Sequence, residues 1–209
     1  MKNEDERPSG PGAPASGAAT VGGGPVKDKG NPGLRDVIET VLVAVILAFL
    51  VRTFVIESFV VQGISMMPTF INNEHVLVNK LAFVFGKPEP NEIIVFRPPL
   101  PYVHEDYIKR IVATAGETVQ LKSGHLYVDG HHVAQPYIEY WDPTSFGPVT
   151  VPKGDVFVLG DNRPDSEDSR YFGPVPIKNI RGQVVFAFWP LSRFGPVGYP
   201  ERGARGYRA

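Results

Sequence analysis

The 209-residue chain contains no cysteine. Disulfides, a thiol nucleophile and cysteine-ligated zinc are therefore excluded. An excess of one charge is also missing: 21 Lys and Arg against 22 Asp and Glu leave a formal net charge of -1. That balance gives no electrostatic case for a nucleic-acid partner. A calcium loop starting at Asp161 fails on its own pattern. Arg163 stands at the third position, Ser166 replaces the glycine at the sixth, and Phe172 stands where a bidentate Glu belongs. No Gly-x-Ser-x-Gly signature supports a Ser-His-Asp triad. The histidines His75, His104, His125, His131 and His132 fall mostly in or beside turns and Pro-rich loops, where they read as solvated groups. No metal or cofactor is expected.

What is present begins with composition. Residues 1–34 carry 8 glycines and 5 prolines. Such a segment cannot bury enough apolar surface to offset its conformational entropy, so it reads as a disordered tail. Val37 to Val55 then reads as a helix of membrane length, reaching roughly 28 Å. Its uninterrupted apolar core, Val41 to Val51, is only 11 residues long, so a buried core helix and a signal-peptide h-region compete. The long preceding tail argues against a cleavable signal. So does the run Thr53-Phe54-Val55-Ile56-Glu57-Ser58, which contains no Ala-x-Ala-like triplet. An uncleaved anchor over 35–56 fits better. Glu39 and Arg52 snorkel toward opposite headgroup layers, and Lys27, Lys29 and Arg35 favour a cytoplasmic N-terminus.

After Glu57 the pattern changes to short β-like runs: Phe59–Gln62, His75–Asn79, Glu92–Arg97, Tyr107–Ala113, Thr118–Lys122, Leu126–Val128, Asp155–Leu159 and Gln183–Phe188. Lys122-Ser123-Gly124-His125 and Val128-Asp129-Gly130-His131 predict hairpin turns. No sustained helical periodicity appears in this body. The expected architecture is mostly β, with a single N-terminal transmembrane helix, an extracytoplasmic β domain over 57–195, and a flexible Gly- and Arg-rich tail over 196–209.

Three segments carry candidate chemistry. In a strand over Tyr107–Val112, Tyr107, Lys109 and Ile111 share one face while Ile108, Arg110 and Val112 share the other. Burying either face buries a cation with it. Arginine stays charged, but a desolvated lysine can lose its proton and act as a base. The sequence leaves open which face is inside, and two solvated cations on an edge strand remain the plainer alternative. Ser65 sits in Ser65-Met66-Met67-Pro68, and a serine needs a base to become a nucleophile. Gly63 permits an unusual φ in a loop presenting that serine, with a backbone N–H as oxyanion donor. The polar run Gly160–Arg170 reads as a self-bracing loop whose carboxylates pair Arg163 and Arg170.

Taken together, these segments resemble the bacterial type I signal peptidases, or leader peptidases, which use a Ser-Lys dyad. The matching pieces are Gly63–Thr69, Glu74–Lys80, Glu92–Pro99, Tyr107–Val112, Gly160–Arg163 with Asp168–Arg170, and Trp189-Pro190, in the family's order. The resemblance implies a membrane-anchored serine endopeptidase that cuts signal peptides from exported preproteins after Ala-x-Ala-like sites. It further implies a site on the outer side of the cytoplasmic membrane, with the lipid bilayer as partner and the secretion translocon as a candidate neighbour. It implies Ser65 as nucleophile and Lys109 as general base. Ser166 would orient the lysine amine, Asp168 would brace the loop with Arg170, and the Ser65 N–H would serve the oxyanion hole. Some members carry a serine hydroxyl donor two residues before the nucleophile, where this chain has Gly63. Phe59, Val61, Met66, Phe70, Tyr107 and Ile108 are implied as walls of shallow pockets for an extended peptide. A specialised peptidase of the same clan and a non-catalytic, membrane-tethered peptide-binding domain are the alternatives.

Overall fold

The computed structural model describes residues 33–198. Almost all of both expected tails lies outside the described residues. The first element, α1 (Leu34–Phe54), is 21 residues long, with Asp36 in its first turn and Arg52 in its last. Both signs suit the helix dipole. Its most apolar 18-residue stretch has a mean hydropathy of 2.3, and none of its residues is buried. It starts one residue before, and ends two before, the expected span.

The body is built from β1 (Ile56–Val60), β2 (His75–Asn79), β3 (Ile93–Phe96), β4 (Tyr107–Thr114), β5 (Thr118–Lys122), β6 (His125–Val128), β7 (His131–His132), β8 (Phe146–Thr150), β9 (Asp155–Leu159), β10 (Val175–Pro176), β11 (Ile180–Trp189) and β12 (Gly195–Pro196). One sheet runs β1-β2-β11-β3-β4-β9-β10, with β12 paired to β11; a smaller one runs β7-β6-β5-β8. Every ladder is antiparallel. Two short helices, α2 (Ala82–Phe85) and α3 (Ser169–Phe172), are each a single turn.

Local pattern explains most of this. In β2, Val76 and Val78 are buried and alternate with half-buried neighbours, as a half-covered strand requires. All four residues of β3 are buried, and its apolar run Ile93-Ile94-Val95-Phe96 is what a strand covered on both faces needs. The two predicted hairpins form with both central residues at positive φ: Ser123 at 48° and Gly124 at 82°, then Asp129 at 52° and Gly130 at 79°. That is the mirror-image turn whose twist matches the strands it joins. The strand β8 was not anticipated, because Gly147-Pro148 interrupts its apolar pattern. It pairs with β5 nonetheless. The body also runs past the expected boundary at 195, since Pro196 pairs with Phe186.

Candidate active site

The loop 61–74 between β1 and β2 presents the serine. Its ends are tied by Val61 N–H to Glu74 O and Asn73 N–H to Val61 O, both 2.8 Å. Gly63 takes φ +87°, and a Cβ there would meet nothing within 4 Å. Glycine is therefore needed for the backbone angle and not for space. Met67 N–H donates to Ile64 O at 3.1 Å, closing a turn around half-buried Ser65. A second loop grips that turn from the other side. Asn162 N–H donates to Ser65 O at 3.0 Å, and Asn162 Nδ2 donates to Ile64 O at 3.2 Å. At Gly160 a Cβ would stand 2.6 Å from Ser65 O, so only glycine lets the loops approach this closely.

Strand β4 supplies the cations, and both are inside: Lys109 is 4% exposed and Arg110 2%. Alternation predicts that burying either face buries one, with two solvated cations as the plainer alternative. The strand pairs along both edges with β3 and β9, and its side chains pack into two separate core clusters, Ile111 in one and Val112 in the other. The two charges are handled differently. Arg110 is neutralised by Asp161, with Nε to Oδ1 at 2.9 Å and Nη2 to Oδ2 at 2.7 Å. It also donates to Asn91 O at 3.0 Å and stacks 4.0 Å from the Tyr137 ring. Lys109 has no ion pair among the described residues. Its amine lies 2.8 Å from Ser65 Oγ. Burial pushes its pKa down to about 8, against the upward pull of Asp168, Glu167 and Asp161; Arg170 pushes in the same direction as burial. A buried cation without a counter-ion is costly, so burial shifts the balance toward the neutral amine.

The loop 160–170 is organised by Asp168. Its carboxylate accepts from Arg170 Nε at 2.8 Å, Arg170 Nη2 at 2.9 Å, Gly160 N–H at 3.0 Å and Ser166 Oγ–H at 2.8 Å. Arg170 also pairs with Asp142 at 2.8 Å. Two expectations need correcting. Arg163 pairs with no carboxylate among the described residues; its Nε donates to Gly160 O at 3.0 Å. Ser166 makes no described hydrogen bond to Lys109; its hydroxyl donates to Asp168. An arginine-braced carboxylate is the stronger acceptor, and the lysine amine is already engaged with Ser65.

One cleft opens at the dyad. Phe59, Val61, Gly63, Tyr107 and Ile108 line it with Ser65 and Lys109. Met66 and Phe70 do not. They are 1% and 2% exposed within a core cluster that includes Val76 and Val78. The turn that brings Ser65 to the cleft sends Met66 inward, and Phe70 borders a separate cavity with Thr69 and Arg193. The sequence reading missed Val76, Val95, Glu105, Asp165 and Glu167 on the cleft wall. Val95 gets there by pairing with Ile108, and such register is not written in one sequence. None of the five histidines lines the cleft. His125 instead packs 4.6 Å from Trp141. Among the described residues no group of three or more His, Asp or Glu is placed to hold a metal.

A hydroxyl in contact with a neutral amine, beside a mostly apolar groove, is equipped for attack on a carbonyl carbon. Comparison with known proteins agrees. The family described as "Signal peptidase, peptidase S26" matches residues 34–189. The chain is 36% identical over 206 residues to a signal peptidase I of Leptolyngbya laminosa, covering 96% of this chain and 98% of that protein. It is 37% identical to a probable signal peptidase I-1 of Synechocystis sp., covering 79% of this chain and 87% of the other. It is also 37% identical to signal peptidase I P of Bacillus subtilis subsp. natto, covering 74% and 88%.

Proposed function

We propose that this chain, which belongs to the signal peptidase family, peptidase S26, removes N-terminal signal peptides from preproteins with a Ser65–Lys109 dyad. One observation carries the assignment of residues: the amine of a buried, unpaired lysine sits 2.8 Å from the Ser65 hydroxyl. The neutral amine takes the hydroxyl proton as Oγ attacks the scissile carbonyl carbon. The oxyanion so formed accepts from the Ser65 N–H. As the C–N bond breaks, the ammonium returns its proton to the departing amine of the mature protein. Water then attacks the acyl-enzyme ester, giving up a proton to the same amine, and Ser65 is released with that proton. Gly63 supplies no hydroxyl to the oxyanion.

The groove lies between the segment 59–63 and the start of β4, so an extended peptide adds there in strand fashion. The helix α1 is the membrane anchor. Its 21 residues are long and apolar enough to cross a bilayer. Arg35, with Lys27 and Lys29, supports an orientation with the N-terminus in the cytoplasm and the β body outside the cytoplasmic membrane. The test is cleavage of a model preprotein by the full-length chain in detergent micelles. Wild type should release the mature protein at the Ala-x-Ala junction, and Ser65→Ala should not. Undiminished cleavage by Ser65→Ala would sink the assignment.

A further inference from the structure

Three carboxylates act on the Lys109 amine: Asp168, Glu167 and Asp161. Any of them, moved into contact, would hold the amine protonated and disable it as a base. Two are committed elsewhere by arginine. Asp161 is held bidentate by Arg110, and Asp168 is held bidentate by Arg170. Glu167 has no such partner. It is exposed on the cleft wall, directly after Ser166. Its one described hydrogen bond comes from a neutral group, the Tyr107 hydroxyl, at 2.8 Å.

Tyr107 is well placed for this task. It lies two residues before the base on the same face of β4, and the Lys109 amine is 5.3 Å from its ring centre. Its ring is fixed by Phe96 and Phe172, each 6.4 Å away centre to centre. The phenol therefore has a set position and direction, and the carboxylate it binds is set with it. Arg170, the cation acting on the same amine, is already taken by Asp168. We propose that Tyr107 is a positioning residue for the general base, its phenol holding the Glu167 carboxylate off the Lys109 amine. Burial and the Glu167 carboxylate raise the Tyr107 pKa to about 12, so the phenol keeps its proton, and the tether holds, across the working range.

The inference rests on Lys109 being the base, and the test separates the two. The readout is the pH profile of kcat/KM for the full-length chain in micelles on an Ala-x-Ala peptide. Tyr107→Phe keeps the ring and frees Glu167, which then pairs with Lys109. The inflection should rise by about one pH unit, lowering kcat/KM near pH 7 about tenfold. Adding Glu167→Gln to Tyr107→Phe removes the offending charge, and the inflection should return to or below the wild-type position. A merely structural loss would lower the whole profile without moving its inflection, and the second substitution would not restore it. An unmoved inflection in Tyr107→Phe, or the same upward shift in the double variant, overturns the proposal. Full activity in Lys109→Arg would instead show that Lys109 is not the base.

Discussion

Raising the pH should switch this enzyme on through one group, and the size of the effect follows from where that group sits. Lys109 is buried without a counter-ion, and its pKa falls from 10.5 to about 8. At pH 7 about one molecule in ten then carries the neutral amine, and at pH 6 about one in a hundred. A solvated lysine would supply only about one in three thousand at pH 7, so burial is worth about 300-fold in active base. We expect kcat/KM to climb with unit slope from pH 6, bend near pH 8 and level off by pH 9.5. Lys109→Arg should be inactive throughout, by at least roughly 10³-fold. The same shift acts on folding. The unfolded chain holds the proton up to about pH 10.5 and the folded chain only to about pH 8. Stability therefore rises with pH across that window, and below it a constant penalty of about 3 kcal/mol remains. Lys109→Met should remove both the penalty and the slope while abolishing turnover. Initial rates on a fluorogenic peptide, with urea melts at each pH, measure both. An inflection near 10, or a flat profile, would refute the argument that burial generates the base.

Two further outcomes are expected. If the groove walls at Phe59, Val61, Tyr107 and Ile108 hold the residue before the cut, replacing the last alanine of Ala-x-Ala by phenylalanine should lower kcat/KM by at least about 100-fold. The middle residue should matter little, and equal values for the alanine and phenylalanine peptides would mean the groove does not select. With the chain in intact spheroplasts, external protease should digest the β body and spare an N-terminal epitope tag; the opposite pattern would overturn the proposed orientation.

The local parts of this structure were legible in the sequence; the contacts between distant segments were not. Both hairpin turns were readable because Ser123-Gly124 and Asp129-Gly130 are chemical requirements of the turn itself. The apolar helix was readable from length and composition. Lys109 and Ser65 stood out as a pair only through the whole set of motifs, since 44 residues separate them and neither carries a local sign of the other. Met66 and Phe70 were misplaced because apolar residues beside a nucleophile look alike whether they face a groove or the core. A tight turn at Ser65 decides between those directions, and that turn depends on Asn162, nearly a hundred residues away. Ser166 was misread for a related reason: hydroxyl and carboxylate compete as partners, and the arginine that settles the competition belongs to the folded loop.

Adjacent cations on β4 carry a consequence for how this protein fails. Strand pairing has period two, so a slip of one residue against β3 and β9 exchanges the faces of the whole strand. A slip that carried Arg110 into the place of Lys109 would set a guanidinium against Ser65 and move Lys109 to the opposite face. A guanidinium cannot accept the serine proton. Misregistered molecules would therefore be catalytically silent. The order Lys109-Arg110 thus ties activity to one register of β4.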